Sequence, residues 1–301
     1  MNKAISLVLF AAGFLVWGGC ERLDSNFFNG TVTTGYLWDN YKGEVDFKLD
    51  STYNFPANYT YVNILASKTA SENLETYIPF IYIGSLSRIK TDTVILYFHG
   101  NRDHMDFYWP RAKLLAHAGG KNHYGVMMVE YRGFGTARGK SNEQTLYADA
   151  EAAVRFLQAS GLTGDRLIFY GFSLGCAPAI ELAYRPRALA PSKIILEAPF
   201  ASAMNLIETG AGLNMPSSYF TDMRVDNYRK IENVIQPLMW IHGKDDDYLN
   251  IETNGRMVFN GHRGRFKEAH EIAGADHGTI QTTWGFQPYL KAVDAFIRRA
   301  R

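Results

Sequence analysis

The chain has 301 residues, a length that suits one large α/β domain or two small ones. Apolar residues make up 47% and charged residues 20%, which is enough to build a substantial core. A formal net charge of +1, with no long run of like charges, argues against the broad electrostatic footprint that nucleic-acid binding requires.

The N-terminus reads as a targeting segment. Lys3 supplies a positive start, Ala4 to Trp17 is almost wholly apolar yet short for a bilayer span, and Gly18-Gly19-Cys20 follows. This resembles a bacterial lipoprotein signal, in which small residues precede a cysteine that is lipidated after cleavage; Trp17 departs from it, standing where leucine is usual. The resemblance implies a signal peptide over 1–20, lipidation of Cys20, membrane attachment through that lipid anchor, and residence in the bacterial cell envelope on the periplasmic side or at the surface. An ordinary secretory signal or an uncleaved anchor is the alternative. Processing there would leave Cys176 without a partner, so no internal disulfide is expected.

Residues 21–58, rich in Asn, Asp, Gly and Thr, read as a tether and an irregular N-terminal segment, with the folded domain over 59–301. Tyr59 to Ala66 and Thr76 to Gly84 carry the aromatic and β-branched residues of short strands. From Asp92 the pattern changes. The runs VILYF (94–98), GVMMVEY (125–131), RLIFY (166–170), KIILEA (193–198) and PLMWI (237–241) are continuously apolar, as strands covered on both faces must be. FKEAHEI (266–272) reads as a last strand. Between the runs lie amphipathic stretches. Glu143 to Ser160 repeats Leu146, Ala150, Ala153 and Leu157 at helical spacing, and Phe286 to Arg299 makes a closing helix with Leu290, Val293 and Ile297 on one face. Strand–helix alternation predicts an α/β fold with a mostly parallel central sheet and helices on both faces. Chemistry is then expected at the carboxyl ends of the strands.

RLIFY runs into Gly171-Phe172-Ser173-Leu174-Gly175, a G-x-S-x-G motif between a strand and a helix. A serine on so sharp a turn is exposed for attack, and glycines two residues to either side avoid collision. The helix beyond the turn points free N–H groups toward developing negative charge. Cys176, beside the turn, reads as a small buried residue rather than a second nucleophile.

After VILYF comes His99-Gly100-Asn101-Arg102-Asp103. With the G-x-S-x-G motif this resembles the α/β-hydrolase superfamily, in its small-lid branch. The resemblance implies an oxyanion hole from the backbone N–H groups of Asn101 and Leu174, a structural role for His99, and a fold of the α/β-hydrolase type. Glu130-Tyr131-Arg132-Gly133-Phe134-Gly135 is similar to the family's Asp-Tyr-Arg-Gly-Tyr-Gly loop, which leaves Arg132 either paired with an acid or exposed. His242-Gly243-Lys244-Asp245-Asp246-Asp247-Tyr248-Leu249 resembles the family's acid loop, His-Gly-x-x-Asp-x-x-Val. That alignment makes Asp246 the acid, with Asp245 and Asp247 as alternatives. Ala273-Gly274-Ala275-Asp276-His277-Gly278 resembles the Gly-x-x-His loop that delivers the base, His277. Ser, Asp, His is also the chain order this fold requires.

The implied reaction is acyl transfer to Ser173, with His277 as base and Asp246 holding its tautomer, on a small-molecule ester or thioester, without cofactor or metal. No His-Glu-x-x-His spacing suggests a metal site. Met204, Leu206, Leu213, Met215 and Tyr219 are candidates for the apolar wall of a small lid. Two rival readings are a peptidase similar to the prolyl-oligopeptidase relatives and an envelope-anchored binding protein on a hydrolase scaffold.

Overall fold

The computed structural model describes residues 27–206 and 223–300. The signal segment with Cys20, and Leu213, Met215 and Tyr219 of the lid stretch, lie outside the described residues.

The described residues form an eight-stranded sheet. Its strands are β1 (Thr60–Ser67), β2 (Thr76–Ile83), β3 (Val94–Phe98), β4 (Gly125–Val129), β5 (Leu167–Phe172), β6 (Lys193–Glu197), β7 (Leu238–Gly243) and β8 (Lys267–Ile272), in spatial order β8-β7-β6-β5-β3-β4-β2-β1. β1, β2 and β4 pair antiparallel, and the remaining neighbours are parallel. The apolar runs become the inner strands because both faces are covered. Val94, Leu96 and Phe98 point to one side, under α2 (Glu143–Ala159) and α3 (Cys176–Tyr184); Ile95 and Tyr97 point to the other, under α1 (Met105–Leu115) and α7 (Phe286–Arg298). A single turn, α4 (Asn227–Lys230), and two short helices, α5 (Gly255–Gly261) and α6 (Ile280–Trp284), lie between α3 and α7 in the chain. A capping box between Asn142 and Thr145 starts α2, and Leu146, Ala150, Ala153 and Leu157 are all buried on its inner stripe.

From β3 the chain steps outward to β4, then crosses back to β5 on the other side of β3. The strand order therefore reverses between β3 and β5. Loops leaving their carboxyl ends diverge there and open a crevice, the place where open α/β sheets bind ligands.

Residues 27–58 are irregular, as read from composition, but they are not a tether. Asn29–Gly30 pairs in parallel with Arg102–Asp103. The carboxylate of Asp106, on the first turn of α1, accepts the backbone N–H groups of Leu37 and Trp38, each at 2.7 Å. Phe47 is buried in the core cluster of α1 and α7. The aromatic residues interspersed among the polar ones anchor the segment, so the domain begins well ahead of Tyr59.

Arg132 resolves to the paired alternative. Its guanidinium is buried, reaching Asp149 at 2.8 Å, Ser67 at 2.8 Å and Glu72 at 2.5 Å, while its backbone N–H also donates to Asp149. This fork ties the loop after β4 to α2 and β1. Removing one member of a buried pair leaves the other charge uncompensated, at a cost of about 3–5 kcal/mol. Asp149→Asn should therefore lower unfolding stability in urea by about that amount. A loss under about 1 kcal/mol would show that Glu72 and Ser67 suffice to hold Arg132.

Candidate active site

The strand β5 ends at Phe172, and Ser173 comes next with φ of +52°, in the left-handed region that L-residues avoid. Such a conformation costs about 1–3 kcal/mol and persists only where the surroundings impose it. Here they do. A Cβ on Gly175 would lie 2.0 Å from the carbonyl oxygen of Phe98 and 2.7 Å from that of His99. One on Gly171 would lie 2.5 Å from the Gly175 oxygen. The two glycines thus let the turn press against its own start and against the end of β3. A short 3-10 turn, Ser173–Gly175, leads into α3, where Pro178 sits in the first turn and costs no hydrogen bond. Cys176 is fully buried, and its Sγ donates to the carbonyls of Gly171 and Glu197 at 3.1 and 3.3 Å. Burial pushes its thiol well above the ordinary range, so it is no rival nucleophile.

The structure brings Ser173, His277 and Asp246 together. His277 Nε2 lies 3.0 Å from Ser173 Oγ, and His277 Nδ1 lies 2.8 Å from Asp246 Oδ2. Of the three adjacent aspartates, Asp246 alone turns inward; Asp245 and Asp247 are exposed. Burial by itself would raise the pKa of Asp246. Hydrogen bonds from His242, His277 and the Leu249 N–H outweigh it, and hold the carboxyl well below the usual carboxylate range. The Asp246 carboxylate, being ionised, can only accept, so Nδ1 of His277 donates to it and Nε2 is left to accept from the Ser173 hydroxyl.

His242 has no role that its motif alone assigns. In the fold its Nδ1 faces the indole N–H of Trp240 at 3.3 Å. An indole can only donate, so Nδ1 accepts, and the ring proton sits on Nε2. Nε2 is 3.0 Å from the Leu249 carbonyl and 3.2 Å from Asp246 Oδ2. The acid is therefore held from behind by a second imidazole of fixed tautomer.

His99 is fully buried between the Glu130 carboxylate at 2.8 Å and the Gly100 carbonyl at 2.9 Å, which accounts for it structurally. Asn101 lines the same cleft as Ser173. Its side-chain amide is taken up by the N-terminal segment: Oδ1 accepts from the Asn29 N–H at 2.9 Å, and Nδ2 donates to the Phe27 carbonyl at 2.6 Å. Leu174 is buried directly after Ser173. Arg102 reaches the cleft over the ring of Phe107, whereas Asp103 is bound by Tyr41 and His104. His270 is half-buried on the edge strand β8 against Trp284, away from the triad residues.

The cleft measures about 430 Å³. Phe107, Tyr108, Phe172 and Tyr248 form its apolar walls, with Ser173 and His277 in its lining. Tyr248 packs against the His277 ring, centroids 5.0 Å apart. Glu44, Arg111 and Tyr248 belong to this lining without standing out in the sequence. Glu44 lies in a stretch whose composition reads as tether, and Arg111 lies on a helix that Pro110 and near-complete burial conceal from periodicity. Met204 and Leu206 are half-buried. Glu197, at the end of β6, is buried against Tyr170 and Gln281, and burial raises its pKa above the ordinary carboxyl value.

Residues 89–236 match a family model described as serine aminopeptidase, S33. That span contains Ser173 and ends before the acid and base loops. The human alpha/beta hydrolase domain-containing protein 17B is 30% identical over 173 residues, 57% of this chain and 56% of that protein. The mouse protein 17C is 27% identical over 237 residues, 78% of this chain and 68% of that one. The chain spans little more than half the length of the first of these curated relatives. Among solved structures, an esterase from Pyrococcus furiosus superposes with a TM-score of 0.62 at 17% identity, over 90% of this chain and 97% of that one. A Pyrobaculum calidifontis esterase does so with a TM-score of 0.58 at 15% identity, over 82% and 87%. At these identities the likeness is one of fold. Sheet order, the strained serine between β5 and α3, and the likeness to these proteins agree that the chain has the α/β-hydrolase fold.

Proposed function

We propose that the protein is a serine hydrolase that cleaves a carboxylic ester or thioester through an acyl-enzyme on Ser173. The observation that carries this reading is the unbroken contact from Ser173 Oγ to His277 at 3.0 Å and from His277 to Asp246 at 2.8 Å, on a serine held at positive φ.

In this reading His277 Nε2 takes the hydroxyl proton as Ser173 Oγ attacks the carbonyl carbon. Asp246 stabilises the imidazolium that forms and keeps the ring in the productive tautomer. The backbone N–H groups of Asn101 and Leu174 receive the oxyanion. His277 then returns the proton to the leaving alcohol or thiol, and water repeats the sequence to free the acid. An open cleft of about 430 Å³ with aromatic walls suits a small or medium acyl group. The match to a serine aminopeptidase model supports a second reading, a peptidase using the same residues. Turnover of aminoacyl-arylamides with none of acyl esters would select it.

A fluorophosphonate serine-hydrolase probe should label the wild type and neither Ser173→Ala nor His277→Ala. Asp246→Asn should slow labelling by about four orders of magnitude, because a neutral amide no longer fixes the imidazole tautomer. Loss with Asp247→Asn instead would move the acid by one residue. A folded wild type that never labels, yet binds ligand tightly and equally well as Ser173→Ala, would favour a binding protein on this scaffold.

We also propose that Cys20 carries a lipid anchor that places the domain at the bacterial envelope. Among the described residues no helix is long and apolar enough to cross a membrane. Cys20→Ala should lose membrane association in cell fractionation or stall unprocessed. Unchanged fractionation with cleavage elsewhere would overturn the anchor.

A further inference from the structure

Arg111 occupies an unusual place for a charged side chain. It lies in the middle of α1, is 4% exposed, and lines the cleft that holds Ser173. Its guanidinium sits over the Phe47 ring at 4.5 Å and within 5.6 Å of the Phe172 ring. Removing so strongly hydrated a group from water is costly unless its charge and donors are matched. Two partners from distant parts of the chain match its charge and its two terminal nitrogens, while the buried Nε has no hydrogen-bond partner among the described residues. Nη1 donates to Glu44 Oε2 at 2.6 Å, and Nη2 donates to the carbonyl of Gly278 at 3.0 Å.

Both ends of this connection are informative. Glu44 is equally buried, and its other oxygen accepts the backbone N–H groups of Asp46 and Phe47 at 3.0 and 3.2 Å. The carboxylate is thus fixed by its own loop, in the N-terminal segment. Gly278 comes directly after His277. The base loop is glycine-rich, with Gly274 at φ +77°, and is stiffened internally by Asp276, which accepts the N–H groups of Gly278 and Thr279. On the acid side it is tied to β7 and its loop, where the Asp245 N–H donates to the Ala275 carbonyl at 3.0 Å. The Arg111 bond ties it to the opposite wall. A guanidinium suits this task because its rigid fork can serve two acceptors at once, whereas an ammonium offers one point charge.

We infer that Arg111 is a positioning residue for the base: braced by Glu44, it holds the peptide after His277 so that the imidazole stays in register with Ser173. This rests on the serine-hydrolase reading above, and it makes the N-terminal segment a working part of the active site. Arg111 acts through Gly278 and His277, and a 1 Å displacement of a catalytic group costs about a hundredfold in rate.

The test uses the full chain with Arg111→Met, Arg111→Lys and Glu44→Gln, assayed on a neutral p-nitrophenyl ester and on one with an anionic acyl chain. Arg111→Met should lower kcat about a hundredfold with KM within about threefold, equally for both esters. Arg111→Lys and Glu44→Gln should fall between it and the wild type. Unchanged kcat in folded variants would overturn the inference. So would a KM increase confined to the anionic ester, which would make Arg111 a substrate-binding group. A second readout does not depend on turnover: the downfield proton resonance of His277 Nδ1–H, assigned by its loss in His277→Ala. It should be sharp in the wild type and broadened in Arg111→Lys and Glu44→Gln, which keeps the inference decidable if Arg111→Met fails to fold. An unaltered resonance in both would overturn it. A wild type that shows the resonance but hydrolyses nothing would refute the hydrolase reading while leaving the brace to be judged by the resonance.

Discussion

The site depends on one close approach, that of the backbone at Gly175 to the end of β3. With any side chain at residue 175, the carbonyls of Phe98 and His99 would be struck at 2.0 and 2.7 Å. Because glycine is there, the turn after β5 nests against the loop after β3, at the place where strand order reverses. Ser173 is thereby pressed into a left-handed conformation, and Asn101 is brought to the same cleft. The same nesting needs Gly100 on the other side, where a Cβ would lie 2.8 Å from the Tyr108 hydroxyl and 3.1 Å from the Phe172 ring. The strain at Ser173 is offset by the packing of two large apolar clusters on either side of the sheet, which is why the conformation is retained.

A second constraint concerns the acid. A buried carboxylate is costly unless its lone pairs are filled, and Asp246 has donors from three directions. Two of these, His242 Nε2 and His277 Nδ1, meet at Oδ2, while the Leu249 N–H takes Oδ1. The hydrogen bond from His242 lowers the basicity of the same oxygen that faces His277. The carboxylate is therefore less able to pull a proton from the imidazolium and better able to stay an anion beside it. For the proposed hydrolase reaction this is the division of labour that a proton-shuttling histidine requires, since the acid contributes orientation and charge without accepting the proton itself. Trp240 secures the arrangement by denying His242 the other tautomer.

Much of this is legible in the sequence because the relevant signals are local. Continuous apolar runs announce the inner strands, the spacing of Leu146, Ala150, Ala153 and Leu157 announces α2, and Ser173, Asp246 and His277 each stand on a short motif directly after a strand. Helix α1 is not legible. It is buried nearly all round, so it has no polar stripe, and Pro110 interrupts it. Residues 27–58 mislead for the opposite reason. Their polar composition reads as solvated chain, yet single aromatics such as Phe47 and paired charges such as Glu44 dock it at scattered points. Contacts of that kind have no period, and their partners lie far along the chain: Glu44 meets Arg111 and Asn29 meets Asn101.

The two walls of the cleft consequently differ in origin. The wall with the acid and base is made by consecutive loops after β7 and β8, held by sheet pairing and by short-range hydrogen bonds. The facing wall combines α1, the loop after β3 and the N-terminal segment, held by side chains: Asp106 on Leu37 and Trp38, Asn101 on Phe27 and Asn29, Arg111 on Glu44. Only the first wall is intrinsic to the sheet. The second includes a segment of about thirty residues whose sheet pairing is limited to Asn29–Gly30 with Arg102–Asp103 and a single bridge from Val32 to Gly135, so side-chain contacts hold most of it. The bond from Arg111 to Gly278 joins the two walls across the cleft and ties the facing wall to the loop that carries His277.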